Sequence, residues 1–256
     1  LLGKRFLIIL ATSIIGNYFI SKKTNQFNQG TGEKANARFF IIIAVVLNIA
    51  ILSYFKYFNF LCDNINFFFH TSFALPKILF PLGISFYTIQ QIAFQIDCYQ
   101  GLCQKVGFFR YLNFVSFFPS VISGPILSYP DFEKNYENNG LSFENYPAYA
   151  YLFAIGLAKK VILADTLAKI VKIESSSLLQ MSFVECWLTS VSYTFQIYFD
   201  FSGYSDMALA SAFFLGFKIP INFNSPFKAR NIIEFWTRWH ISLSNFIDIP
   251  FYFKIA

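Results

Sequence analysis

The run EFWTRWHISLS, Glu234 to Ser244, sets one of the chain's two histidines among two tryptophans, an arginine and two serines. An imidazole with an unperturbed pKa of about 6.5 takes a proton from a hydroxyl at neutral pH and returns it to a leaving group. His240 is therefore the candidate base. If FWTRWHISLSNFID forms a single helix, residues four apart stack, so Trp236, His240, Ser244 and Asp248 share one stripe while Arg238 and Ser242 lie roughly opposite. On that arrangement Trp236 walls the site against water and Ser244 orients an imidazole nitrogen. Arg238, with Lys228 and Arg230, then meets either a phosphate-bearing donor or lipid headgroups. The same residues also fit the ordinary Trp and Arg belt of a membrane interface, with a structural histidine among them. A hydrolytic Ser-His-Asp triad built on Ser242 or Ser244 is disfavoured, because all three groups would come from one helical stripe with no GxSxG elbow.

Composition identifies the elements that must hold such a group. Of the 256 residues 55% are hydrophobic, 21% aromatic and 13% charged, against roughly 25% charged in soluble domains. The chain reads as an integral membrane protein of one embedded domain, residues 1–256. The net charge of +6 comes from short basic loops rather than a long stripe, which points to membrane topology and away from nucleic acid. Spans of about 20 apolar residues are predicted at Arg5 to Ile20, Phe39 to Phe55, Ile78 to Tyr99, Val106 to Leu127, Tyr146 to Ile170 and Phe183 to Ile219. The loop 21–38 carries four basic residues against Glu33 and is expected to be cytoplasmic. A signal peptide is a poor reading of the first span, which has no small-residue cleavage site before the second. The sequence opens without methionine inside an apolar run and stops just after PFYFKIA, so a piece truncated at both ends is expected. Cys62, Cys98, Cys103 and Cys186 are scattered and support neither a zinc site nor a disulfide framework.

The later spans contain what a plain lipid anchor avoids: Gln90, Gln91 and Asp97; Lys159, Lys160 and Asp165; Gln196, Asp200 and Asp206. A charge at the bilayer centre costs roughly 2.5 to 3.5 kcal/mol on insertion scales, so these groups are expected to face a bundle interior or watery cavity. FPLG at 80–83, Gly124-Pro125 and DFSGYS at 200–205 are expected to break or kink helices. Asn222 and Asn224 between Pro220 and Pro226 suggest a structured turn, scaffold before site. No internal repeat is visible, which weakens a transporter reading.

PLGISFYTIQQIAFQID at 81–97, FVSFFPSVISGPI at 114–126, FQIYFDFSGYSDMALASAFFLGFKIPINFNSPF at 195–227 and EFWTRWHISLS at 234–244 resemble, in order, the motifs of the membrane-bound O-acyltransferase family. Within it they are similar to the bacterial branch that modifies alginate, peptidoglycan and teichoic acid. The resemblance covers the chain from about residue 78 onward.

It implies an all-α polytopic transmembrane bundle in the bacterial inner membrane, with broken and re-entrant helices around a central tunnel. The implied reaction moves an acyl group, acetyl being the expected one, from a cytoplasmic thioester such as acetyl-CoA toward hydroxyls of an extracytoplasmic polysaccharide. No bound cofactor or metal is expected. The implied partners are membrane lipid, a periplasmic acyltransferase or acyl-relay protein, and the polysaccharide acceptor. The family's WHxSLS histidine falls on His240, and its motif residues at the tunnel fall on Asp200, Ser202, Tyr204 and Asp206. A second family histidine belongs to a later segment, so residues 1–256 alone are expected to lack a group that completes the site. After ISLS the bacterial branch continues with an Arg-Asp-Tyr run and a Pro-Gly turn, where this chain has NFIDIPFYFKIA with Asp248 and Pro250. His70, far upstream of the motifs, is read as interfacial. Two other readings stay open: a transporter or export channel using the buried Asp and Lys residues, and a catalytically inactive scaffold for a periplasmic partner.

Overall fold

The first two apolar runs form two long early helices, α1 (Leu2–Gln29) and α2 (Lys34–Phe69). Both contain stretches long and apolar enough to cross a membrane, Phe6–Asn28 and Lys34–Phe69. At 1.5 Å per residue α2 is about 54 Å long, well beyond a hydrocarbon core of about 30 Å. The computed structural model describes residues 2–29, 34–71, 78–79, 81–103, 106–137, 143–175 and 181–251. Among these the chain is helical, with no strand beyond one isolated bridge. The remaining helices are α3 (Ile84–Tyr99), α4 (Phe108–Val115), α5 (Phe118–Val121), α6 (Tyr129–Glu137), α7 (Tyr146–Ala158), α8 (Asp165–Ser175), α9 (Phe183–Phe214), α10 (Ile232–Trp236) and α11 (Ile241–Phe251).

Several boundaries depart from the sequence reading. The basic stretch 21–38 is mostly helix, as α1 runs on to Gln29 and α2 begins at Lys34. Its Lys, Ala and Gln residues form helix readily, and Gly30 to Glu33 lie outside the described residues. The expected span from Val106 to Leu127 is two short pieces, α4 and α5, with Pro119 in the first turn of α5 and Gly124-Pro125 following it in non-helical backbone. Ile78 to Tyr99 is helical only from Ile84, after Gly83 turns the chain at φ 72. A Cβ at Gly83 would stand 2.5 Å from the Val121 carbonyl oxygen. DFSGYS causes no break. It lies inside an unbroken α9, since Gly203 serves a close helix crossing instead.

By their contacts the residues divide into two compact units, Leu1–Ile122 with Ser128–Phe132, and Ser123–Leu127 with Glu133–Ala256. In the first, α1, α2 and α3 pack together around side-chain amides that the apolar interior forces to bond one another. Asn17 is the hub. Its Oδ1 accepts from Asn48 Nδ2 at 2.7 Å, its Nδ2 donates to Gln91 Oε1, and its carbonyl accepts from Gln95 Nε2 at 2.7 Å. Ser13 Oγ also donates to Gln91 Oε1, at 3.0 Å. Beside this network an aromatic core gathers on Phe94, with Tyr111 at 4.4 Å and Tyr129 at 5.1 Å between ring centroids. Asp97 accepts the Tyr129 N–H at 3.0 Å, so the carboxylate sits at the first turn of α6, where a negative charge is favoured. His70, exposed and at φ 48, closes α2.

In the second unit α9 packs along α7, the following turn and α8. The crossing is tight because both helices carry glycine there: a Cβ on Gly203 would lie 2.6 Å from the Gly156 carbonyl oxygen, and one on Gly156 would lie 2.7 Å from that of Gly203. Immediately beyond Gly156 the helix widens into a π-turn, Lys159–Ala164, before continuing as α8. Such turns are rare and cluster at functional sites. Here it lets two consecutive lysines reach α9, Lys159 to Asp206 at 2.6 Å and Lys160 to Asp200 at 2.6 Å, the latter also bound to Asp165 at 3.0 Å. Helix α9 is well terminated at both ends. Ser182 and Glu185 form a capping box, and Gly216, at φ 80, completes a Schellman turn with Gly216 N–H on Phe213 O and Phe217 N–H on Ala212 O.

Candidate active site

After Gly216 the chain runs extended and is held by Asn135, whose side chain bonds both the Lys218 carbonyl and N–H at 2.9 and 3.0 Å. It then pairs with the histidine motif. Asn224 N–H donates to Arg238 O at 2.9 Å, Ile241 N–H donates to Asn222 O at 3.0 Å, and Phe223 stands opposite Trp239 in an antiparallel bridge. This pairing breaks the helix expected across Phe235 to Asp248. Helix α10 ends at Trp236, residues 237–240 turn and extend, and α11 starts at Ile241. The extended backbone lets Trp239 enter an aromatic nest, stacked on Phe235 at 5.6 Å and edge-on to Phe223 at 5.0 Å.

His240 therefore does not share a stripe with Trp236 and Ser244. It occupies the elbow between two helices at φ 46, a left-handed conformation that costs a non-glycine residue roughly 1–3 kcal/mol and persists only where neighbours over-determine it. Its carbonyl caps α11, accepting from Leu243 and Ser244 N–H at 3.0 and 3.1 Å. The imidazole lies half-buried, edge to face with Phe201 of α9 at 4.7 Å. Its Nδ1 is buried without a hydrogen-bond partner among the described residues. Burial pushes the ring's pKa down to about 4, so at neutral pH it is the uncharged, proton-accepting form.

Around the elbow runs a buried hydrogen-bond chain. Ser242 Oγ–H donates to Asn222 Oδ1 at 2.6 Å, and Ile126 N–H donates to Ser242 Oγ at 3.0 Å. Asn222 Nδ2 approaches Ser205 Oγ of α9 at 3.4 Å. The sequence reading placed Ser242 on the face away from His240 and took Asn222 as turn scaffold. The missed signal was the pair of asparagines in INFNSP, whose side chains commonly bond nearby backbone.

The other singled-out residues direct their polar bonds elsewhere. Ser244 Oγ–H donates to the Trp236 carbonyl at 3.1 Å rather than orienting the imidazole, so it ties α11 to the end of α10. Arg238 is taken up by Glu234 Oε1, at 2.8 Å from Nη2, and by the Asn224 carbonyl at 3.2 Å. Glu234 is held below the usual carboxylate range by the Arg230 N–H and then by Arg238. Trp236 is 53% exposed and borders a groove of about 560 Å³ shared with Ile233, Thr237, Ser244 and Ile247. Asp200 and Asp206 pair with Lys160 and Lys159. Ser202 Oγ is buried with no partner among the described residues. The side chain of Asp248 lies outside the described residues. No group of three His, Cys, Asp or Glu residues fit to hold a metal is found among the described residues.

Comparison with known proteins matches residues 40–248 to the model of the membrane-bound O-acyltransferase family. The chain is 38% identical to the peptidoglycan O-acetyltransferase of Helicobacter pylori, over 98% of this chain and 52% of that protein. It is 36% identical to the probable alginate O-acetylase of Pseudomonas aeruginosa, over 98% of this chain and 48% of that one. The teichoic acid D-alanyltransferase of Bacillus subtilis is 32% identical over 64% of this chain and 42% of its own length. The chain thus spans about half the length of the first two relatives. With its motifs in order and the family model covering most of its length, the chain belongs to the membrane-bound O-acyltransferase family.

Proposed function

We propose that the protein is a membrane O-acyltransferase that moves an acyl group, acetyl first among candidates, from a thioester such as acetyl-CoA to hydroxyls of a polysaccharide outside the cytoplasmic membrane. The relatives named for peptidoglycan, alginate and teichoic acid support that acceptor class. The observation that carries the chemistry is His240: neutral, half-buried, held in a strained elbow. Its imidazole takes the acceptor hydroxyl's proton as the oxygen attacks the thioester carbonyl. The C–S bond then breaks and the thiolate receives the proton. Aromatic packing against Phe201 and in the adjoining Trp239 nest excludes water that would hydrolyse the thioester. A central tunnel through a multi-span bundle, a cytoplasmic 21–38 segment and a periplasmic partner receiving the acyl group belong to the same proposal. Replacing His240 by Ala in the complete protein is expected to lower acyl incorporation into surface polymer at least about 100-fold, the smaller end of what a general base contributes. Membrane accumulation stays normal. Wild-type acylation in that variant would sink the reading.

A further inference from the structure

We propose that Asn222 is a positioning residue that fixes where the His240 imidazole points; the role rests on His240 acting as the base. Both sides of His240 are fastened to one short segment that begins at this asparagine. On the C-terminal side the Asn222 carbonyl accepts the Ile241 N–H at 3.0 Å, and its Oδ1 accepts Ser242 Oγ–H at 2.6 Å and Ser242 N–H at 3.3 Å. On the N-terminal side Phe223 bridges Trp239, and Asn224 N–H holds Arg238 O at 2.9 Å. An N–H can only donate, so the atom facing Ser242 must be the amide oxygen. The side-chain orientation is thereby determined.

Asn222 is 2% exposed and Ser242 5%, so water does not replace these bonds once lost. The far end of the amide reaches Ser205 on α9, and Phe201, four residues earlier on that helix, is the ring that meets the imidazole. One face of α9 thus touches both the histidine and the residue that holds it. A left-handed histidine relaxes toward ordinary backbone when its neighbours stop over-determining it. Relaxation rotates the Cβ and carries the imidazole away from the reacting atoms, and a displacement of about 1 Å is enough to cost about 100-fold in rate.

The test measures kcat and KM for the acyl thioester in membranes containing the complete protein, corrected for the amount of folded protein. Asn222→Ala is expected to lower kcat about 100-fold while KM stays within about twofold, since binding groups are untouched. Ser242→Ala lowers kcat in the same sense, and Ser242→Thr, which retains the hydroxyl, restores it. Should Asn222→Ala fail to accumulate, the Ser242 pair decides: equal kcat in Ser242→Ala and Ser242→Thr overturns the proposal. Wild-type kcat per folded molecule in Asn222→Ala overturns it as well. An inactive His240→Ala beside a fully active Asn222→Ala removes only the positioning role, whereas an active His240→Ala removes the base and this role together.

Discussion

In the first unit Asn17, Asn48, Gln91 and Gln95 tie three helices with neutral amides, whereas in the second α9 is tied to its neighbour by Lys159–Asp206 and Lys160–Asp200. Amides bring no net charge to desolvate and hold at any pH. Ions in an apolar bundle are costly, and they are kept where a charge or a polar cavity has a use. The orphaned imidazole and the left-handed elbow fall in the same unit as the ions. The contrast teaches that no single sign marks a site. The amide network also holds a buried nitrogen without a partner among the described residues, Gln91 Nε2, and the first unit also has a left-handed histidine, His70. The second unit, by contrast, sets a half-buried left-handed histidine with such a nitrogen in the same unit as the ion pairs.

Substitutions sharpen this contrast. The largest effect is expected at the glycine crossing. Gly203→Val places atoms against the Gly156 carbonyl, where even a Cβ would stand at 2.6 Å, and should cost about 3 kcal/mol. Gly16 of α1, where an added Cβ meets nothing within 4 Å, is the counterpart in the first unit; Gly16→Ala should leave the thermal midpoint of the detergent-solubilised protein unchanged or slightly raised. Equal losses at both glycines would erase the distinction. Next comes Asn17→Ala, expected to remove about 2 kcal/mol by stripping partners from buried amides, with turnover per folded molecule unaltered. A fall in that turnover would mean that the amide unit takes part in chemistry. The smallest effect belongs to the Lys159–Asp206 pair, both partners about a quarter exposed. A double-mutant cycle with Lys159→Met and Asp206→Asn should give a stability coupling of about 1 kcal/mol or less. A coupling of several kcal/mol would make the ions structural like the amides.

Helices and the motif were legible because they are local. Apolar runs announce α1, α2, α7 and α9, and His240 stands out by its neighbours in sequence. What stayed hidden depends on distant partners. The break at His240 follows from bonds to Asn222 and a bridge to Phe223, which a helical wheel drawn on residues 235–248 does not contain. Gly203 looked like a helix breaker and is a contact surface, because only Gly156, 47 positions earlier, reveals what it is for. Asp200 and Asp206 were recognisable as polar groups out of place, but their lysine partners become reachable only through the π-turn.

That turn at Lys159–Ala164 also limits how the gene can change. A π-turn holds one residue more than an α-helical path needs, so deleting any one of the six lets the helix close into regular winding. The helices on either side would keep their phase, because the widened turn is what absorbs the extra residue. What would be lost is the wide turn itself, from which Lys159 and Lys160 reach Asp206 and Asp200. Point substitutions here exchange one side chain for another and leave the turn in place. A single lost codon would remove the turn and re-aim its lysines while α8 still follows α7, so the length of this segment, as well as its letters, sets where the two charges point.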